Sequence, residues 1–244
     1  MSKRARPPAP LQAAERAQWT AVPTTFPTAR PWRIVAALIP FPEQLAGQRI
    51  VDVGAGGSDA VAALLAAGAD ALAVDPRYRS FPALVRDAQA YFAAQEAAGR
   101  LPQAREDSAA AIAAQRDAFR RFSASFLDPR HRHRYHAAVA TALPLAAASV
   151  DLLYSLDCIT QYLDRDYDLL LAAVREALRV LRPGGRLALV PFRDDVFRLG
   201  YHQARHVNQE RLLAWLDERA LAWRLDDLSP TGLTGSARLV VVAP

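Results

Sequence analysis

Cysteine and lysine are nearly missing from this chain. Cys158 is the single cysteine in 244 residues, which excludes an intramolecular disulfide and a thiolate-rich zinc site. Lys3 is the single lysine, so arginine carries nearly all of the positive charge. No apolar run reaches the roughly 20 residues of a membrane span. The basic N-terminus, MSKRARPPAPLQAAERAQW, lacks the continuous apolar stretch of a signal peptide. These absences lead to the expectation of a soluble, cytoplasmic protein with no membrane partner.

What remains is ample for a core, at 52% hydrophobic residues, and the length suits one sizeable α/β domain. The net charge of +5 raises nucleic acid as a partner. Arginine in a chain crowded with alanine reads more simply as composition bias.

Residues 1–30 are rich in Pro, Ala and Arg without periodicity, as in KRARPPAP and VPTTFPTARP, and read as a flexible arm. The domain proper is expected over 31–244. In PWRIVAALIPFP, Trp32, Val35, Ala36 and Ile39 recur at helical spacing. RIVDV, DAVAALLAAGAD and ALAVD then read as strand, helix and strand, the helix ending at Gly68. Such alternation argues for a parallel sheet, whose ligands collect at the carboxyl ends of the strands. Asp52 and Asp75 both fall there.

The 58 residues 77–134 exceed a one-helix crossover. Two helical patterns, Leu84, Ala88, Tyr91, Phe92 and then Ile112, Phe119, Phe122, Phe126, place a helical insertion at about 79–128, either a lid or a surface embellishment. YHAAVA from Tyr135 and SVDLLYSL from Ser149 read as the third and fourth strands. A helix with Leu170, Val174, Ala177, Leu178 and Leu181 on one face stops at RPGG, where Gly184 suits a left-handed cap. RLALVPF, LAWRLDDL and ARLVVVAP read as three further strands, with a helix at about Gln209–Ala220.

The stretch IVDVGAGGSD, Ile50–Asp59, sets bare backbone beside carboxylates. Glycines between a strand and a helix allow a tight turn and the close approach of a ligand. A dinucleotide site wants G-x-G-x-x-G with pyrophosphate on the helix N-terminus. Gly54 and Gly56 fit that pattern, but Asp59 takes the third glycine's place and sets like charge against pyrophosphate. A ligand without phosphate and with a cationic end suits Asp52 and Asp59 better. S-adenosylmethionine is such a ligand.

VDVGAGGSD, AVDPRY, LPLAAASVDLLYSLD and EALRVLRPGGRLALVPF, in this order, resemble the successive motifs of the class I S-adenosylmethionine-dependent methyltransferases. The resemblance runs from about Gln48 to the C-terminus. It implies a Rossmann-like three-layer α/β sandwich, with a seven-stranded, mostly parallel sheet whose last strand is antiparallel. It further implies that Gly54, Ala55 and Gly56 lie against the methionine part of the cofactor, with Asp52 near its amino end. Asp75 would take the ribose hydroxyls, Pro76 and Arg77 would border the adenine, and Ser155 and Leu156 would present backbone to the amino group. Members often carry an acid before LPF. VATALPL has none, which leaves adenine to backbone and Thr141.

Methyl transfer from a sulfonium is an in-line displacement that needs a base only when the acceptor loses a proton. Asp157, after the fourth strand, is the candidate base or acceptor-orienting group; its alternative is a helix cap or a solvated carboxylate. Gln161 stands near where relatives often have histidine. RDDVFRLGYHQARHVN offers Tyr201, His202 and His206 near the acceptor, with His202 the candidate catalytic group. His202 and His206 are four apart but have no acidic partner with compelling spacing, so no metal is expected. DPRHRHRYH reads as a basic, solvated approach to the third strand. The Asn/Asp-Pro-Pro-aromatic signature of amino-methylating nucleic-acid enzymes is missing, and Cys158 lacks the Pro-Cys context of a pyrimidine-C5 nucleophile. The expectation is therefore methyl transfer to a small-molecule acceptor. The rivals are a nucleic-acid methyltransferase, a non-catalytic S-adenosylmethionine-binding module, and a nicotinamide oxidoreductase, which Asp59 and the lack of a Tyr-x-x-x-Lys pair oppose.

Overall fold

Successive residues of β1 (Arg49–Val53) and β2 (Asp70–Val74) are apolar and buried apart from Asp52 and the two half-buried first residues, so both faces of these strands are covered. The computed structural model describes residues 11–14, 30–98, 108–194, 203–231 and 236–244. The remaining strands are β3 (Tyr135–His136), β4 (Val150–Leu156), β5 (Leu181–Asp194), β6 (Trp223–Asp227) and β7 (Ser236–Val242). All seven form one sheet in the order β3-β2-β1-β4-β5-β7-β6. Pairing is parallel from β3 to β5, and β7 runs antiparallel between β5 and β6. This is the Rossmann-like sandwich, with helices in both outer layers.

Side chains alternate across the sheet and feed two cores. Ile50, Ala71, Ala73, Leu152 and Tyr154 face one layer, with α1 (Trp32–Leu38), α2 (Ala60–Ala66), α3 (Phe81–Ala98) and α4 (Ser108–Leu127). Val51, Val53, Leu72, Val74 and Leu153 face the other, with α5 (Tyr167–Val180) and α6 (Gln203–Glu218). Leu11 and Ala14, in a helical turn at 11–14, pack on this second face. The rest of the expected arm, apart from Arg30, lies outside the described residues.

The alanines of β2 leave depth for an aromatic layer. Phe119, Phe122 and Phe126 of α4 stack around Tyr78, Phe81, Phe92 and Tyr135, and burying each phenylalanine is worth about 2 kcal/mol. These buried rings make α4 a wall of the domain, distinct from a detached cover.

Helix α5 starts at Asp166, whose carboxylate accepts from the amides of Asp168 (2.9 Å) and Leu169 (3.2 Å). Leu170, Val174 and Ala177 are buried, and the helix ends at Val180, just ahead of RPGG. Gly184 has φ 75° and donates to the Ala243 carbonyl at 3.0 Å. At the amino-terminal edge of the sheet, charges link neighbouring strands. Arg134 pairs with Asp70, Arg49 Nε lies 3.4 Å from Asp70, the Arg49 amide donates to Asp151 at 2.6 Å, and Arg182 pairs with Asp151.

Three element boundaries differ from the sequence reading. β3 stops at His136, because β2, its neighbour in the sheet, ends beside it and the His136 carbonyl already accepts from Asp75 and Ala138. β5 begins at Leu181, which pairs with Val150 before the register shifts around the RPGG turn. α6 begins at Gln203, six positions before the expected start.

Candidate active site

β1 and β2 end side by side, in register from Arg49 and Asp70 to Val53 and Val74. The chain leaves β1 through Gly54, at φ 78°, and folds across the end of β2, with the Gly54 amide donating to the Val74 carbonyl at 2.8 Å. Glycine is required at this position on two counts. The backbone is left-handed, and a Cβ would stand 2.2 Å from Cβ and 2.3 Å from Sγ of Cys158. Asp75 straps the loop from the other side. Its carboxylate accepts from the amides of Gly56 (2.9 Å) and Arg77 (2.8 Å), and Tyr78 donates to the Gly56 carbonyl at 2.9 Å.

Asp52 is buried at the end of β1, beside Tyr154 in the register of β4. Tyr154 donates to its Oδ2 at 2.9 Å, and Oδ1 is buried with no hydrogen-bond partner among the described residues. Burial pushes the Asp52 carboxyl up to about 7; Arg30 and the Tyr154 hydroxyl pull the other way. Burial likewise raises the Asp75 carboxyl, against its two amide bonds. A cation whose charge acts on both carboxylates is Arg30, 9% exposed. Its Nε lies 3.5 Å from Asp157 Oδ2, while Nη1 and Nη2 have no hydrogen-bond partner among the described residues.

A π-helical turn, Ile159–Leu163, follows β4 and forms the opposite wall. Ser155 Oγ accepts from the Ile159 amide at 3.1 Å, which starts the turn. Its far end is fastened to α6. Asp164, fully buried, lies 3.1 Å from Arg205 Nε, accepts from Gln209 at 3.0 Å on its carboxylate and from Asn208 at 2.9 Å on its carbonyl. Arg205 also bonds the Gln161 carbonyl. Between the turn and the glycine loop, Cys158, Tyr162, Val74, Pro76 and Val139 leave a cavity of about 20 Å³.

The fold therefore brings Asp52, Gly54, Ala55, Gly56, Asp75 and Pro76 together at the ends of β1 and β2, with Ser155, Leu156 and Asp157 across from them at the end of β4. Thr141 is buried beyond β3. Arg77 donates to Asp87 of α3 at 2.9 Å. Asp157 adopts φ 54° and is half-buried. His202 and Tyr201 lie outside the described residues. Asp59 departs from its expected role, because its carboxylate is taken by the Trp32 amide and Arg121 Nε, both at 2.7 Å, and ties α1 and α4 to the start of α2. The sequence reading also missed Arg30, placed in a tract without periodicity, and the polar set Asp164, Arg205, Asn208 and Gln209.

Residues 103–189, about a third of the chain, match the family model of methyltransferase domains. No curated protein matches the sequence. Among solved structures, the chain is similar to the partner of the Trm112 methyltransferase activator in a complex from Haloferax volcanii, at 16% identity over 96% of this chain and 94% of that one, with a TM-score of 0.49. It is also similar to phosphoethanolamine N-methyltransferase 2 of Haemonchus contortus, at 15% identity over 96% of this chain and 58% of that one, again with a TM-score of 0.49. Likenesses this distant do not distinguish one acceptor from another. The matched segment runs from α4 into β5, and the motifs outside it lie on the sheet order described above. Residues 103–189 thus carry a match to a methyltransferase domain, set in a Rossmann-like sheet.

Proposed function

We propose that the cleft at the ends of β1, β2 and β4 binds S-adenosylmethionine and delivers its methyl group to a small-molecule acceptor. The observation that carries this reading is the Asp52 carboxylate, buried at the point where the strand order reverses, with one oxygen lacking a partner among the described residues. An ammonium group supplies the missing donor. Gly54, Ala55 and Gly56 then lie along the methionine chain, Asp75 keeps lone pairs beyond its two amide bonds for the ribose hydroxyls, and Ser155 and Leu156 offer backbone from β4. Pro76, Arg77 and Thr141 border the adenine side. The cavity there has little more than the room of one water molecule, so a purine must push back the wall formed by Cys158 and Tyr162.

When bound, the cofactor supplies an electrophilic methyl group on a sulfonium. The chain's own contribution is to align the acceptor and exclude water. Asp157 is the acceptor-side candidate among the described residues. The contact between Asp157 and Arg30 favours an orienting role for Asp157 over that of a base.

A small acceptor is favoured over nucleic acid because the basic run is engaged elsewhere. Arg130 pairs with Asp128, Arg132 lies over the Phe126 ring at 3.9 Å, and Arg134 is tied to Asp70 at the edge of the sheet opposite the cleft. Calorimetric titration with S-adenosylmethionine, S-adenosylhomocysteine and NAD tests the cofactor site. Binding of the first two alone is expected, and binding of NAD alone sinks the reading. The acceptor class is tested by turnover on a panel of small amines, alcohols and acids; steeply salt-dependent RNA methylation in its place would reverse it. Asp75→Ala is expected to weaken cofactor binding by about 2 kcal/mol, roughly thirtyfold in Kd.

A further inference from the structure

We propose that the outer face of α5 and α6 docks an acidic segment of a partner protein. None of its residues is a proposed cofactor contact. On α6, Val207, Arg211 and Trp215 recur every four positions and form one ridge, which Arg219 continues just past the end of the helix. Tyr167 and Arg175 meet this ridge from α5. The Arg211 guanidinium carbon lies 3.8 Å from the centre of the Tyr167 ring, and that of Arg175 lies 5.3 Å from the centre of the Trp215 ring. Arg219 lies over the same Trp215 ring at 4.8 Å.

All three arginines are exposed, and none forms an ion pair among the described residues. Two cations thus share one ring with no described carboxylate paired to either. Two acids of the same helices are turned elsewhere: Asp217 accepts from the Trp223 indole and Glu176 from Arg179 Nε, both at 2.7 Å. Val207, 58% exposed, adds an apolar end to the ridge.

Trp, Tyr and Arg are the residue types in which protein–protein contacts concentrate their binding energy. A guanidinium held over a ring has also lost part of its freedom before a carboxylate reaches its N–H fork. A nucleic-acid strand fits less well, because the rings on which bases would stack are already covered by guanidiniums. The net charge of +5 disfavours a second copy as the occupant, so the acid comes from another molecule. The same helix fastens the π-helical turn through Arg205, Asn208 and Gln209. A partner seated on the ridge therefore rests on the element that holds one wall of the cleft.

The probe is a fluorescent amphipathic peptide of Leu and Glu, titrated with the full chain by anisotropy beside a counterpart carrying Gln in place of Glu and a labelled oligouridine. The acidic peptide should bind, more weakly as salt rises, and the Gln counterpart should bind about tenfold less tightly. Arg175→Gln, Arg211→Gln and Arg219→Gln combined should weaken the acidic peptide about tenfold, the scale of three exposed ion pairs, and leave the Gln counterpart unchanged. A wild-type protein that does not bind the acidic peptide overturns the proposal, as does a triple variant that binds it like the wild type. Tighter, arginine-dependent binding of the oligouridine gives the face to nucleic acid and overturns it too, and dimerisation lost in the triple variant gives it to a second copy. If the triple variant does not fold, Val207→Glu replaces it; an acid set in the ridge should weaken the acidic peptide by about threefold or more, and unchanged affinity again overturns the proposal.

Discussion

Below pH 7 the Asp52 carboxyl is mostly protonated, because burial holds it near that value in the unliganded protein. An ammonium ligand binds the ionised form, so cofactor affinity should rise with pH through the Asp52 titration and turn down once the ligand's own amino group loses its proton, at about pH 8. Calorimetry from pH 5.5 to 8.5 checks the slope, and Asp52→Asn should flatten it. At Gly54 the expected effect is steric. Gly54→Ala combines a left-handed φ with a Cβ at 2.2 Å from Cys158 Cβ, and should lower stability by about 1–3 kcal/mol. Cys158→Ala in the same chain removes Sγ but leaves that Cβ, so urea denaturation should show partial recovery. Full recovery would mean that neither the remaining Cβ contact nor the left-handed backbone costs anything.

The π-helical turn and α6 act as one element through Asp164. Burial raises the Asp164 carboxyl to about 6, opposed by Arg205 and Gln209. In the unfolded chain it titrates near 4. Between those values the native state takes up a proton that the unfolded chain does not, which favours folding; above pH 6 both states are ionised, and the buried charge depends on Arg205. Arg205→Ala should therefore cost about 3 kcal/mol at pH 8 and distinctly less at pH 5, as read by thermal unfolding at the two pH values. A pH-independent loss would refute the coupling. The same cluster explains what the sequence hid. The strands and α5 were legible because their contacts are apolar and periodic, and the glycine loop because only bare backbone turns there. The first half of α6 buries polar groups against Asp164, with Asn208 and Gln209 both inside, and polar contacts leave no hydrophobic period to read. Arg30 was hidden for a related reason, since the carboxylate it meets, Asp157, lies far along the chain.

Across the whole molecule, long-range pairing dominates the sheet, with β1 reading its register from β4 about a hundred positions later. The placement of β7 bears on how the chain assembles during synthesis. Among the described residues β6 pairs with β7 alone, and β7 also covers the free side of β5. Until residues 236–242 leave the ribosome, β6 has nothing to pair with and β5 presents an unpaired edge, a template for intermolecular pairing. A chain shortened to end at residue 231 is thus expected to aggregate even though every proposed cofactor-binding residue is intact, and light scattering on refolding from urea would show it. Completion of the sheet belongs to β7.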